Sequence, residues 1–209
     1  VERSRGLGDV YKRQVLAAED DRFYQHGGID WMGVARAGLT NLINMSKTQG
    51  ASTITMQVAR NFYLSSEKTY SRKFYELLLT FKIESELTKD QILELYMNQI
   101  YLGHRAYGFA AASRTYFGKP LSEVTPAEAA MLAGIPKAPS RFNPISNRPR
   151  AELRQRYVLG RMQSLGYLTE PEYKQAMAQQ IVMKSAEGTP AGGYSCLLYT
   201  SDAADDTPC

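Results

Sequence analysis

The sequence predicts a mainly α-helical fold, and three observations carry that prediction. Helix-start devices recur along the middle of the chain. Apolar residues there recur at helical spacing. Alternating strand patterns are nearly absent. The first 14 residues, VERSRGLGDVYKRQ, show no clean period and are expected to be unstructured or non-native. Val15-Leu16-Ala17-Ala18 is a short apolar segment that runs into three acids, Glu19, Asp20 and Asp21, and a glycine turn at Gly27-Gly28. Between Asn41 and Arg60, the run Gly50-Ala51-Ser52-Thr53 reads as a loop feeding a helix from Ile54. Thr69 to Leu87 reads as a long helix with Phe74, Leu77, Leu78 and Phe81 on one stripe. Thr88-Lys89-Asp90-Gln91 and Thr125-Pro126-Ala127-Glu128 are capping boxes, the second with proline at the first helical position. Gly134 and Pro136 close that short helix. Leu153, Tyr157, Met162 and Leu165 lie near helical spacing, and Thr169-Glu170-Pro171-Glu172 opens a last helix after a stop at Gly166.

The size, 209 residues, predicts one domain, over 15–184, with a sizeable core. The tail, 185–209, is small and polar and is expected to be unstructured or non-native; it holds Cys196 and Cys209, the chain's two cysteines. There is therefore no disulfide framework or thiolate metal site in the domain. No run of 18 apolar residues exists to span a membrane, and no signal-peptide pattern is present. The net charge of +4 is concentrated: Lys137, Arg141, Arg148, Arg150, Arg154, Arg156 and Arg161 face a single acid, Glu152, between Pro136 and Arg161. Such a patch suits phosphates, nucleic acid or acidic headgroups, and charge alone equally allows a solvated helix face.

Three segments could carry chemistry. Crowded like charges after an apolar run raise a carboxyl pKa, which a general base near neutral pH needs; an acidic helix end before a glycine turn would look the same. Glu76 has Arg72 at i−4 and Lys73 at i−3, so the three share a helix surface. As a surface ion pair this is worth about 0.2–0.5 kcal/mol. The following Leu77, Leu78 and Leu79 suggest instead that Glu76 borders a buried wall, where a carboxylate flanked by cations suits a diphosphate cleft. Ser52, Thr53, Thr55, Gln57 and Arg60 offer hydroxyls, an amide and a guanidinium for sugar and phosphate oxygens, although such clusters also cap helices. His26 and His104 lack metal-ligand spacing, and no metal residue is assigned.

Taken together, these segments resemble the glycosyltransferase domain of class A penicillin-binding proteins and monofunctional peptidoglycan glycosyltransferases. Five motifs appear in order: Glu19 to Gly28, Gly50 to Gln57 continuing to Arg60 and Asn61, Arg72 to Glu76, Ile92 to Gly103, and Ala111 to Lys119. The match spans about Val15 to Gln180. Met56 stands where many members have glutamine. The family's upstream membrane helix and downstream transpeptidase domain are missing. RGLGDVYKRQ and SCLLYTSDAADD look like translated adapter or vector sequence, so the natural protein is expected to be longer at one or both ends.

The resemblance implies a lysozyme-like, bilobal fold with a small jaw lobe beside the membrane. It implies polymerisation of lipid II into β-1,4 glycan with inversion, releasing undecaprenyl diphosphate, at the outer face of the bacterial cytoplasmic membrane. Glu19 is then the general base and Glu76 the second acid. Arg60, Arg72 and Lys73 neutralise diphosphate, Ser52, Thr53 and Gln57 bind substrate oxygens, and Asp20, Phe23 and His26 shape the pocket. Glu94, Tyr96 and Asn98 read as structural support. A divalent cation, Mg or Mn, near the diphosphate is a candidate cofactor. Lipid II, the glycan chain, the membrane surface and a transpeptidase are the implied partners, and nucleic acid is not one. The rivals are a lytic transglycosylase, which needs one catalytic glutamate and a polymer groove, and a binding module using the basic patch.

Overall fold

The computed structural model describes residues 2–43, 52–62 and 70–184, with side chains from Tyr11. Among them the fold is mainly α, as expected, without a strand; the sole β pairing is an isolated bridge between Tyr101 and Tyr107. The helices are α1 (Glu2–Glu19), α2 (Trp31–Ile43), α3 (Ile54–Phe62), α4 (Tyr70–Glu86), α5 (Lys89–Gln99), α6 (Phe109–Phe117), α7 (Pro126–Gly134), α8 (Arg148–Ser164) and α9 (Glu170–Ala178). Gly50, Ala51 and Thr69, and both cysteines, lie outside the described residues.

The capping boxes set α5 and α7. Thr88 accepts from the Gln91 N–H while its own N–H donates to the Gln91 side chain, and Thr125 and Glu128 repeat the exchange. Glu172 accepts from the Thr169 N–H at the start of α9. Helix α7 is apolar but for Glu128, which pairs with Lys119, and it packs on α1 and α8. Its small residues Ala127, Ala129, Ala130 and Ala133 let those helices approach closely. On the other side, α3 packs on α4 and α5. One apolar core runs through both groups, from Val15 through Ile54, Ile92 and Tyr96 to Leu132 and Leu159. Burying each such large side chain contributes roughly 1.5–3 kcal/mol.

Three sequence expectations need correction. Residues 2–14, expected to be unstructured or non-native, are helical and extend α1. Tyr11 is buried, with its hydroxyl 2.6 and 2.7 Å from the Leu121 and Val124 carbonyl oxygens, and the Gln14 amide donates to Pro126 O at 2.8 Å. Polar side chains reaching carbonyls leave no apolar period to read. The α4 stripe is inverted: Phe74, Leu78 and Phe81 are exposed, and Glu76, Thr80 and Ile83 are buried. This helix turns its polar groups inward because they have partners there: Glu76 on Arg60, and Glu84 on Thr55 and Lys89. On α8, Leu153 and Tyr157 are exposed while Ala151, Gln155, Val158, Leu159 and Met162 are buried.

Candidate active site

The acidic segment leaves the end of α1 and is pinned at once to α3. The Asp20 carboxylate accepts the Ile54 N–H at 3.1 Å, at the helix N-terminus, where a negative charge is favoured. His26 Nε2 lies 3.0 and 3.1 Å from the two Asp20 carboxylate oxygens, and both side chains are buried. Phe23, also buried, meets the His26 ring edge-on. Thr53 caps α3: its hydroxyl accepts the Met56 N–H at 3.2 Å and donates to Gly28 O at 2.6 Å. Gly28 holds φ +85, and a Cβ there would lie 2.8 Å from Thr80 Cγ2, so a glycine is needed for this seat against α4. Thr53 was expected to bind substrate oxygens; its hydroxyl is also engaged within the protein. Met56, in its variant position, is buried, and Gln57 beside it faces the site.

This anchoring sets Gln57 and Arg60 one turn apart on α3, each against one acid. Gln57 Nε2 donates to Glu19 Oε2 at 3.0 Å. Arg60 donates to Glu76 Oε1 at 3.2 Å and to Ser52 Oγ at 3.3 Å, and Lys73 Nζ donates to the same Glu76 oxygen at 2.7 Å. Arg72 lies half-buried on α4, one turn before Glu76. The Glu76 side chain is only 2% exposed while both of its cations are 45% exposed, so these pairs join a buried carboxylate to half-exposed cations.

The cavity, about 460 Å³, opens where the two helix groups meet. Glu19, Asp20 and Asp21 line it with Arg36, Ser52, Gln57 and Arg60 on one side, and Lys137, Arg154, Tyr157 and Arg161 on the other. Glu76, Lys73 and Arg72 are not in its lining; Arg60 links their cluster to it. Sequence reasoning assigned no site role to Lys137, Arg154 or Arg161, although it singled out their basic run. The missed signal was spacing: residues 154, 157 and 161 fall on one face of a helix, and that face looks into the cavity. Arg154 donates to Glu19 Oε1 at 3.4 Å and to Ala18 O at 3.2 Å, with its guanidinium 4.5 Å from the Tyr157 ring centroid. It reaches Glu19 because Gly134 lets α8 lie against α7; a Cβ on Gly134 would stand 2.7 Å from Arg154 Cγ. Arg161 pairs with Asp21 at 2.6 Å.

The two glutamates have opposite electrostatics. Burial pushes the Glu19 pKa up, and the Gln57 hydrogen bond and the charges of Arg154 and Lys137 only partly offset this. At Glu76 burial also pushes upward, but the hydrogen bonds and charges of Lys73 and Arg60 outweigh it and hold the pKa below the ordinary carboxylate value. Environments that separate two carboxyl groups in this way assign them different work. Glu19 is suited to accept a proton, and Glu76 stays ionised and holds two cations in place. Lys137 has its pKa lowered by burial and by Arg154. Among the described residues, no group of three or more His, Cys, Asp or Glu side chains could hold a metal ion.

Comparison with known proteins bears on this arrangement. The transglycosylase family profile matches residues 3–163. A Cupriavidus necator protein with a transglycosylase name is 61% identical over 170 residues, which are 81% of this chain and 73% of that protein. Penicillin-binding protein 1A of Neisseria lactamica is 58% identical over 173 residues, 83% of this chain and 22% of that protein. The chain thus spans under a quarter of the length of this second relative. A crystal structure of penicillin-binding protein 1A from Haemophilus influenzae aligns at 37% identity and TM-score 0.45, covering 63% of this chain and 16% of that one. The family match and the identity to the Cupriavidus protein establish that the chain belongs to the transglycosylase family, the peptidoglycan glycosyltransferases.

Proposed function

We propose that the chain polymerises lipid II into β-1,4 glycan strands with inversion, releasing undecaprenyl diphosphate. One observation carries this reading: two glutamates with opposite pKa shifts, linked by one helix, beside a cavity rich in cations. Glu19 takes the proton of the acceptor's sugar 4-hydroxyl. That oxygen bonds to the donor's anomeric carbon as the carbon–oxygen bond to the lipid diphosphate breaks on the opposite face. The diphosphate leaves as an anion, with Arg60, Lys73 and Arg72 stabilising its charge. Glu76 keeps Lys73 and Arg60 in position and does not donate a proton. Ser52 and Gln57 face the bound sugars, and Asp20, Phe23 and His26 brace the base from behind.

A divalent cation, Mg or Mn, near the diphosphate stays part of this proposal: Arg60 and Lys73 share Glu76 Oε1, and Oε2 is the oxygen that would face the ion. No step is routed through a metal. The exposed apolar side chains of α2 and α4 support a membrane-surface location on the outer face of the cytoplasmic membrane: Trp31 is 69% exposed, Leu42 77% and Phe74 59%. Large exposed apolar faces mark lipid or protein contacts. No described helix is long and apolar enough to cross a membrane. We further propose that the natural protein carries or partners a transpeptidase, in line with the names of the Neisseria relatives.

Incubating the chain with labelled lipid II in detergent tests this reading. It predicts a ladder of glycan products that lysozyme degrades, as β-1,4 linkages require. Cleavage of finished peptidoglycan without ladder formation would replace it with the lytic reading.

A further inference from the structure

Tyr96 lies on α5, in a stretch whose sequence suggested only structural support. Glu94 and Asn98 are exposed, but Tyr96 is wholly buried and points at the back of the site. Its hydroxyl lies 3.4 Å from Gln57 Oε1. The other end of that amide, Nε2, donates to Glu19 Oε2 at 3.0 Å. We propose that Tyr96 is a positioning residue for Glu19, acting through the Gln57 amide.

The argument rests on the two-faced chemistry of an amide. An ionised carboxylate only accepts, so the Gln57 nitrogen must face Glu19. If the amide flipped, its oxygen would face the carboxylate and two lone-pair surfaces would repel. A buried tyrosine hydroxyl needs an acceptor, and Gln57 Oε1 supplies it. The hydroxyl therefore ties down, before substrate arrives, the amide orientation that Glu19 requires. It remains a donor at every working pH, because burial first, and the Glu19 charge second, raise the Tyr96 pKa well above 10. The other groups around Glu19 come from different elements: Arg154 from α8, Lys137 after α7, Arg60 from α3, and Asp20 and Asp21 from its own segment. None of these donates to the Gln57 amide oxygen, as the Tyr96 hydroxyl does.

The inference rests on Glu19 being the base, so the experiment includes that variant. Rates of lipid II polymerisation are measured against pH for the parent chain, Tyr96→Phe, Gln57→Ala, the double variant and Glu19→Gln, each with a melting temperature. Tyr96→Phe is expected to lower kcat about tenfold with KM unchanged. The acid limb of its profile should move to higher pH, since Glu19 loses a fixed donor. In the Gln57→Ala background, Tyr96→Phe should cause no further movement. A lower melting temperature with the acid limb unmoved would make Tyr96 merely structural and overturn the proposal. So would an undiminished shift without Gln57. If Tyr96→Phe fails to fold, 3-fluorotyrosine at this position keeps the ring and donates more strongly. The acid limb should then move to lower pH, and no movement would overturn the proposal. An active Glu19→Gln chain would remove the base assignment and the proposal together. An inactive one, with an unmoved limb in Tyr96→Phe, would remove only the proposal.

Discussion

Replacing Arg154 with methionine tests the electrostatics of the site most sharply. Methionine keeps the aliphatic stem packed near Gly134 and Tyr157 and removes the charge. The guanidinium lies 3.4 Å from Glu19 Oε1, and the two side chains are 8% and 10% exposed, so solvent screens the pair little. At that distance and an effective dielectric near 20, the gross attraction is about 5 kcal/mol, an upper bound. Hydrogen bonds to charged groups contribute about 1.5–3 kcal/mol net, and a long contact belongs at the lower end. Arg154→Met should therefore raise the Glu19 pKa, and a loss of about 1.4 kcal/mol corresponds to a tenfold smaller fraction of ionised base on the acid side. Loss of a neighbouring cation disfavours the ionised base. The acid limb of kcat/KM for lipid II polymerisation should therefore shift upward, with the rate recovering at higher pH. Initial rates from pH 5 to 9 provide the assay. An unmoved limb with a raised KM would show that Arg154 only holds substrate, and a downward shift would refute the reasoning outright.

Three further outcomes follow from the same geometry. Glu19 has its folded pKa raised, chiefly by burial, so its stabilising contribution is fully present below the unfolded pKa and is lost as pH rises through the folded one. Glu19→Gln should consequently melt higher than the parent at neutral pH, by about 2–4 °C for each kcal/mol recovered, and a lower melting temperature would contradict the burial argument. Gly134→Ala should cost about 1–3 kcal/mol by driving a Cβ into the Arg154 stem; chemical denaturation should show most of that loss disappearing in an Arg154→Ala background. Phe74→Ser with Phe81→Ser should leave the melting temperature near that of the parent, because both rings are exposed, yet weaken sedimentation with lipid vesicles about tenfold or more; equal vesicle binding would remove α4 from the proposed membrane face.

Much of this fold was readable because its devices are local. A threonine followed three residues later by glutamine or glutamate fixes a helix start without tertiary help, and α5 and α7 begin where those pairs lie. The five motifs likewise marked Glu19, Gln57, Arg60, Lys73 and Glu76, which the fold brings to one cavity and the cluster beside it. What stayed hidden depends on which face of a helix turns inward. The apolar stripe of α4 reads as core, but the partners of Glu76 and Glu84 draw its polar face inside. Arg154 reads as part of a solvated basic run until Gly134 allows α8 to bring it to Glu19. Tyr96 reads as packing because its effect passes through a second side chain. Thr53, expected to bind substrate oxygens, also caps α3 and donates to Gly28 O, a tie that only the fold reveals.

The measurement that tests the central claim most directly is lipid II polymerisation by the parent chain beside Glu19→Gln, with both shown to be folded by thermal melting. The account predicts glycan ladders from the parent and none from the variant, which should melt at least as high. Ladders from the variant at the parent's rate would contradict the assignment of Glu19 as the base.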